Sequence, residues 1–160
     1  MMQLFEKIEN RHWNHKVGIP ERISFLSMYQ VGNVHMLEIE RRWRESKISR
    51  SMAAPIGMKR DGELFYLDIH EKYHGCHGLV AGMTGSGKSE FLQEYILSLM
   101  LNYSPDDIAF ILIDFKGGDM ARPFLKAPHV SATISNLSGN MLHRAKVSLE
   151  AEIQNRQKLF

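Results

Sequence analysis

Eight consecutive residues carry the clearest chemistry in the chain. Gly82-Met83-Thr84-Gly85-Ser86-Gly87-Lys88-Ser89 fits the G-x-x-x-x-G-K-[ST] pattern of a phosphate-binding loop without a mismatch. Average composition would produce that match by chance in roughly 0.5% of chains of this length. Each residue type has a physical task. Glycines let the backbone turn with positive φ and bring N–H groups close to phosphate oxygens with no Cβ in the way. The helix that opens at the loop adds its unpaired donors and the positive end of its dipole. The ammonium of Lys88 is placed to sit between β- and γ-phosphates, and the Ser89 hydroxyl to ligate Mg²⁺.

Asp114 is a second candidate. It closes the apolar run Ile108–Ile113 and lies at the carboxyl end of a predicted strand, where parallel sheets bind their ligands. That makes it a candidate Mg²⁺ ligand. The competing reading is a loop residue that caps the following turn. Phe115-Lys116-Gly117-Gly118-Asp119 supplies no glutamate beside it to orient a water.

His70-Glu71-Lys72-Tyr73-His74 is a literal H-E-x-x-H. Zinc hydrolysis demands that pattern on a helix, with both histidines on one face. Here it follows the strand-like ELFYLDI and runs at once into Gly75-Cys76-His77-Gly78, which leaves no room for such a helix. Glu94 has the spacing of a distant third ligand but falls on the helix after the phosphate loop. A site built from His70, His74, Cys76 and His77 is the other metal alternative. The favoured reading is a loop that leads into a core strand and packs near a nucleotide base.

These residues need elements to hold them. Residues 1–50 read as a helical lead-in. An apolar patch of Ile23, Phe25, Leu26, Met28 and Tyr29 predicts one short helix, and VHMLEIERRWRES predicts a two-sided helix of about three turns. The polar stretch 46–52 reads as a linker. AAPIGM and ELFYLDI, joined through Asp61-Gly62, predict a β-hairpin. Leu79–Ala81 predicts the strand before the phosphate loop, and SEFLQEYILSLMLNY a largely buried helix after it. Ile108–Ile113 predicts a strand covered on both faces, and Val130–Ile134 a third short strand. Asn136–Gly139 reads as a turn, and 140–160 as a long amphipathic helix. Strands alternating with helices imply right-handed crossovers and a parallel sheet, hence an α/β fold. The last helix runs into Leu159-Phe160 with no stop signal, as though interrupted.

Length and composition agree with one domain and a short arm. Apolar residues are 44% and charged residues 24% of the 160, which excludes collagen, low complexity and wholesale disorder. A net charge of +2 gives no footprint for tight binding to nucleic acid, although a local basic patch is compatible with it. The single cysteine, Cys76, forbids an intrachain disulfide and suits a reducing compartment. The chain has no run of the roughly 18–20 apolar residues that a membrane helix needs, and MMQLFEKIENRHWNH carries charge too early for a signal peptide.

The stretch from Trp43 to Phe160 resembles the FtsK/SpoIIIE family of motor ATPases and, within it, the EssC/YukB-type ATPases of type VII secretion. AAPIGM, LDIHEKYHGCHGLVAGMTGSGKSEFLQEYILSLMLNY, FILIDFKGGDMARPF, PHVSATISNLSG and EAEIQNRQKLF carry the resemblance. Residues 1–42 resemble, more weakly, the lead-in before the first ATPase module. Met83 stands where a small residue or Thr is usual, and Cys76 where Pro is expected.

The resemblance implies a partial RecA-like P-loop NTPase fold over 51–160, with ATP and Mg²⁺ as cofactors. It assigns nucleotide contacts to Gly82, Met83, Thr84, Gly85, Ser86, Gly87, Lys88 and Ser89. It implies that the Asp114 strand is not the one bearing the metal acid. A later strand ending in Asp-Glu, and an arginine from a neighbouring subunit, would complete hydrolysis beyond Phe160. It implies a membrane-anchored parent at the cytoplasmic face of the cell membrane, assembling as a homo-oligomer of hexamer type with other secretion-machinery subunits. The expected cargo is small helical WXG-type proteins. A DNA translocase of the same superfamily and a nucleotide-binding assembly module without turnover are the alternatives.

Overall fold

A computed structural model describes residues 23–114, 119–134 and 139–159. Four helices and four strands occur among them. They are α1 (Phe25–Met28), α2 (Ile39–Glu45), β1 (Ala53–Met58), β2 (Leu64–Asp68), α3 (Lys88–Asn102), β3 (Phe110–Ile113), β4 (Val130–Ile134) and α4 (Gly139–Gln157). Single 3₁₀ turns at Val34–Leu37 and Arg122–Phe124 complete the set.

The hairpin forms where Asp-Gly predicts it. β1 and β2 pair antiparallel, with Ala53 opposite Asp68 and Met58 opposite Leu64, and the register slips between Pro55 and Gly57. Gly62 takes the left-handed conformation, φ 85°, that closes the turn, and the Lys59 amide donates to the Glu63 carbonyl at 2.7 Å. β3 and β4 pair in parallel, from Phe110 beside Val130 to Ile113 beside Ile134.

Helix α3 lies between these two sheets, which explains why its sequence is apolar nearly all round. Ile96 and Met100 pack with Leu112, Ala121 and Phe124 on the β3–β4 side. Leu99 and Tyr103 pack with Ala54 and Ile108 on the hairpin side. Ser98, fully buried, donates to the Pro55 carbonyl at 2.9 Å, so its hydroxyl is satisfied where the helix touches β1.

The lead-in is bolted to the far end of α3. The Trp43 indole N–H donates to the Met100 carbonyl at 3.0 Å. Arg42 lies 4.8 Å over the Tyr29 ring and donates to Asn102 Oδ1 at 3.3 Å. The Tyr29 hydroxyl meets Ser98 Oγ at 2.6 Å.

Several expectations need correction. VHMLEIERRWRES is two pieces rather than one helix. Glu38 adopts φ 49°, ψ 48° between the 3₁₀ turn and α2, and Arg42 Nε satisfies the freed Leu37 carbonyl at 2.8 Å. Residues 46–52 are not a slack linker. Ile48 and Met52 pack against the hairpin-side core, and Ser51 and Met52 are hydrogen-bonded to Asp68.

Leu79–Ala81 forms no strand. Leu79 is 93% exposed, and the parallel sheet of the described residues has two strands, not three. A short buried strand exists only where a neighbouring strand and a covering layer meet it, and neither does among the described residues. For the same reason β3 is covered on one face only. Leu112 is buried while Ile111 and Ile113 remain exposed. Helix α4 forms as expected, with Val147 and Ile153 exposed. Most of the predicted turn at 136–139 lies outside the described residues, as do 115–118.

Candidate functional site

The loop between Gly82 and Ser89 opens α3. Gly85 and Gly87 have φ 79° and φ 83°, in the left-handed region where a side chain costs about 1–2 kcal/mol. Gly87 is the N-cap of α3, and the first helical bond runs from the Phe91 amide to its carbonyl at 2.9 Å. The amides of Lys88, Ser89 and Glu90 therefore precede the first intrahelical bond and are available as donors. A Cβ on Gly82 would sit 2.6 Å from Ser86 Oγ, so the loop is packed against itself at that point.

Lys88 reaches back over the loop. Its ammonium donates to the Gly82 carbonyl at 2.8 Å and the Met83 carbonyl at 2.6 Å, with Ser86 Oγ at 3.5 Å. A cation, three first-turn amides and two left-handed glycines thus lie within one exposed eight-residue loop and helix start. That donor set fits a polyanion. Ser89 stands in the first turn beside Lys88, Thr84 lies in the turn at the loop's centre, and Met83 is exposed.

Asp114 follows β3. Its amide donates to the Ile134 carbonyl at 2.9 Å, and its Oδ2 accepts from the Met120 amide at 3.2 Å. The carboxylate thus caps the turn at 119–120. Gln93, a residue without a motif, meets that turn from α3. Nothing local marks Gln93, because its partners are 26 and 27 residues away.

The H-E-x-x-H residues form a turn, not a helix. The Asp68 amide donates to His74 Nδ1 at 3.0 Å and the Lys72 amide to His70 Nδ1 at 3.2 Å. In each ring it is Nδ1 that accepts from the backbone. Among the described residues no group of three or more His, Cys, Asp or Glu side chains could hold a metal ion. Asp68 organises this corner. Burial pushes its carboxyl up, but hydrogen bonds from Ser51 and the His70 and Met52 amides, with the charge of His70, outweigh it and leave the group below its ordinary range. Nearby, burial pushes the Tyr95 hydroxyl up to about 12, with the Asp68 charge adding to it. Burial also raises Glu94 on α3.

The FtsK/SpoIIIE family model matches residues 38–160. The chain belongs to the FtsK/SpoIIIE family. It is 49% identical over 156 residues to the ESX secretion system protein YukB of Bacillus subtilis (strain 168), a match covering 94% of this chain and 10% of YukB. It is 49% identical over 145 residues to the type VII secretion system protein EssC of Staphylococcus aureus (strain NCTC 8325 / PS 47), covering 91% of this chain and 10% of EssC. Its fold matches the cytoplasmic domain of the Thermomonospora curvata type VII secretion ATPase EccC with a TM-score of 0.78 and 34% identity, over 87% of this chain and 17% of that one. The chain spans about a tenth of the length of the curated relatives it matches. No helix among the described residues is long and apolar enough to cross a membrane.

Proposed function

We propose that this chain supplies the triphosphate-gripping part of a type VII secretion motor. Residues 51–160 are read as the amino-terminal part of a RecA-like ATPase domain, and 1–50 as its lead-in. The observation that carries the reading is the loop itself: left-handed Gly85 and Gly87 at the start of α3, with the Lys88 ammonium arched over the loop carbonyls. The 49% identity to YukB and EssC supports the choice of secretion over DNA pumping, and the +2 net charge gives DNA no added support.

In this reading the amides from Gly82 to Ser89 grip the phosphates of ATP, and Lys88 transfers its ammonium from the loop carbonyls to the β- and γ-phosphate oxygens. The Ser89 hydroxyl would hold Mg²⁺. The metal, when bound, neutralises charge between those phosphates. Asp114 is assigned to holding the 119–120 turn, with the metal-binding carboxylate and the transition-state arginine drawn from residues outside these 160. The parent protein would work at the cytoplasmic face of the cell membrane as a ring-forming homo-oligomer with other secretion subunits, moving small helical WXG-type proteins.

A chimera tests this. Replacing the matching segment of B. subtilis YukB with this chain should preserve export of that system's small helical substrates, read by immunoblot of the medium. The same chimera with Lys88→Ala should abolish export. Export equal in both would refute the reading. DNA-stimulated ATPase activity without substrate export would favour the DNA-pumping alternative.

A further inference from the structure

Gln93 sits five positions after Lys88, on the second turn of α3. Its side-chain N–H₂ donates to the Met120 carbonyl at 3.1 Å and the Asp119 carbonyl at 3.4 Å. The amide of the same Met120 donates to Asp114 Oδ2 at 3.2 Å. Met120 is therefore gripped from two sides, through its carbonyl by the helix that begins with Lys88 and through its N–H by the end of β3. Its side chain packs against the cluster of Ile96, Met100 and Leu112, and the Asp114 amide continues the chain of bonds to Ile134 of β4.

We propose that Gln93 is a positioning residue for nucleotide binding. Through the Met120 backbone it fixes where the start of α3, with Lys88 and Ser89, stands relative to the carboxyl end of β3. This rests on the reading of Gly82–Ser89 as a triphosphate cradle. Two carbonyls need two protons from one side chain, which a primary amide supplies. In that reading Ser89, in the first turn of α3, would hold Mg²⁺, and displacements of about 1 Å are enough to degrade such geometry. Loosening the clamp therefore weakens the Mg²⁺-dependent part of nucleotide affinity more than the part owed to phosphate alone.

Two variants of this chain test it. Gln93→Met keeps the length of the side chain and removes its donors; Gln93→Lys keeps the reach and restores donation. Amide exchange at Met120 is measured by NMR without nucleotide. Affinity for a fluorescent ATP analogue is measured with Mg²⁺ and again with EDTA. Gln93→Met should speed Met120 exchange about tenfold, the loss of one hydrogen bond of ordinary net strength. It should also lower the ratio of Mg²⁺ to EDTA affinity, and Gln93→Lys should recover both. Unchanged exchange in Gln93→Met overturns the clamp. Faster exchange with an unchanged affinity ratio makes it a structural tie and overturns the positioning role. A wild-type chain that binds no nucleotide overturns the cradle and the positioning role together, and the nucleotide-free exchange data separate that failure from the first.

Discussion

Ser51 Oγ donates to Asp68 Oδ2 at 2.6 Å, and that bond ties the 46–52 segment to the last residue of the hairpin. The same carboxylate accepts from the Met52 and His70 amides, each at 2.9 Å. Three donors thus surround a carboxylate whose residue is only 6% exposed.

That arrangement sets an acid limit on stability. The Asp68 carboxyl is a stronger acid folded than unfolded. Its contribution is present in full above the unfolded value of about 3.9 and is lost as pH falls through the lower folded value. Urea midpoints measured from pH 6 down to pH 3 should therefore fall more steeply for wild type than for Asp68→Asn, which cannot titrate. Parallel curves would contradict the assignment.

Trp43 ties α2 to the end of α3 through its bond to the Met100 carbonyl, and its ring meets His129 edge-on at a centroid distance of 5.5 Å. Trp43→Phe keeps an aromatic ring and removes the donor. The expected loss is about 1–2 kcal/mol, or roughly 3–6 °C in Tm, measured by circular dichroism. An unchanged Tm would show that the lead-in does not brace the helix.

Gly87 tests the loop's conformation rather than its space. An added Cβ meets only Glu90 Oε2 at 3.6 Å, but φ 83° is strained for any residue with a side chain. Gly87→Ala should leave the chain folded, because the loop is exposed, and should weaken ATP-analogue binding about tenfold, the equivalent of that strain. Equal affinity in fluorescence titration would mean that the left-handed turn is dispensable.

Local chemistry was readable in the residues; partners distant in sequence were not. Asp61-Gly62 specifies its hairpin because turn geometry is decided within a few residues. The glycine-rich loop and its helix are legible for the same reason. Leu79–Ala81 fails as a strand because three apolar residues cannot specify the neighbour they must pair with. The helical period of VHMLEIERRWRES runs unbroken through Glu38, whose left-handed backbone leaves no trace in that pattern. His70 and His74 match a metal motif by letter, yet they sit in a turn rather than on a helix, and the Nδ1 of each accepts from a nearby backbone amide. Gln93 carries no local signal at all, since its role exists only once α3 and the 119–120 turn are folded together.

The most direct measurement is equilibrium binding of Mg-ATP to this chain and to its Lys88→Ala variant, by calorimetry or analogue displacement. Lys88 supplies the cation of the loop and now donates to the Gly82 and Met83 carbonyls. Weak, saturable binding that Lys88→Ala reduces at least about tenfold, as the loss of a charge-assisted contact requires, is the expected result. Binding of equal strength in both proteins would show that the phosphates are held elsewhere, and the cradle between Gly82 and Ser89 would be contradicted.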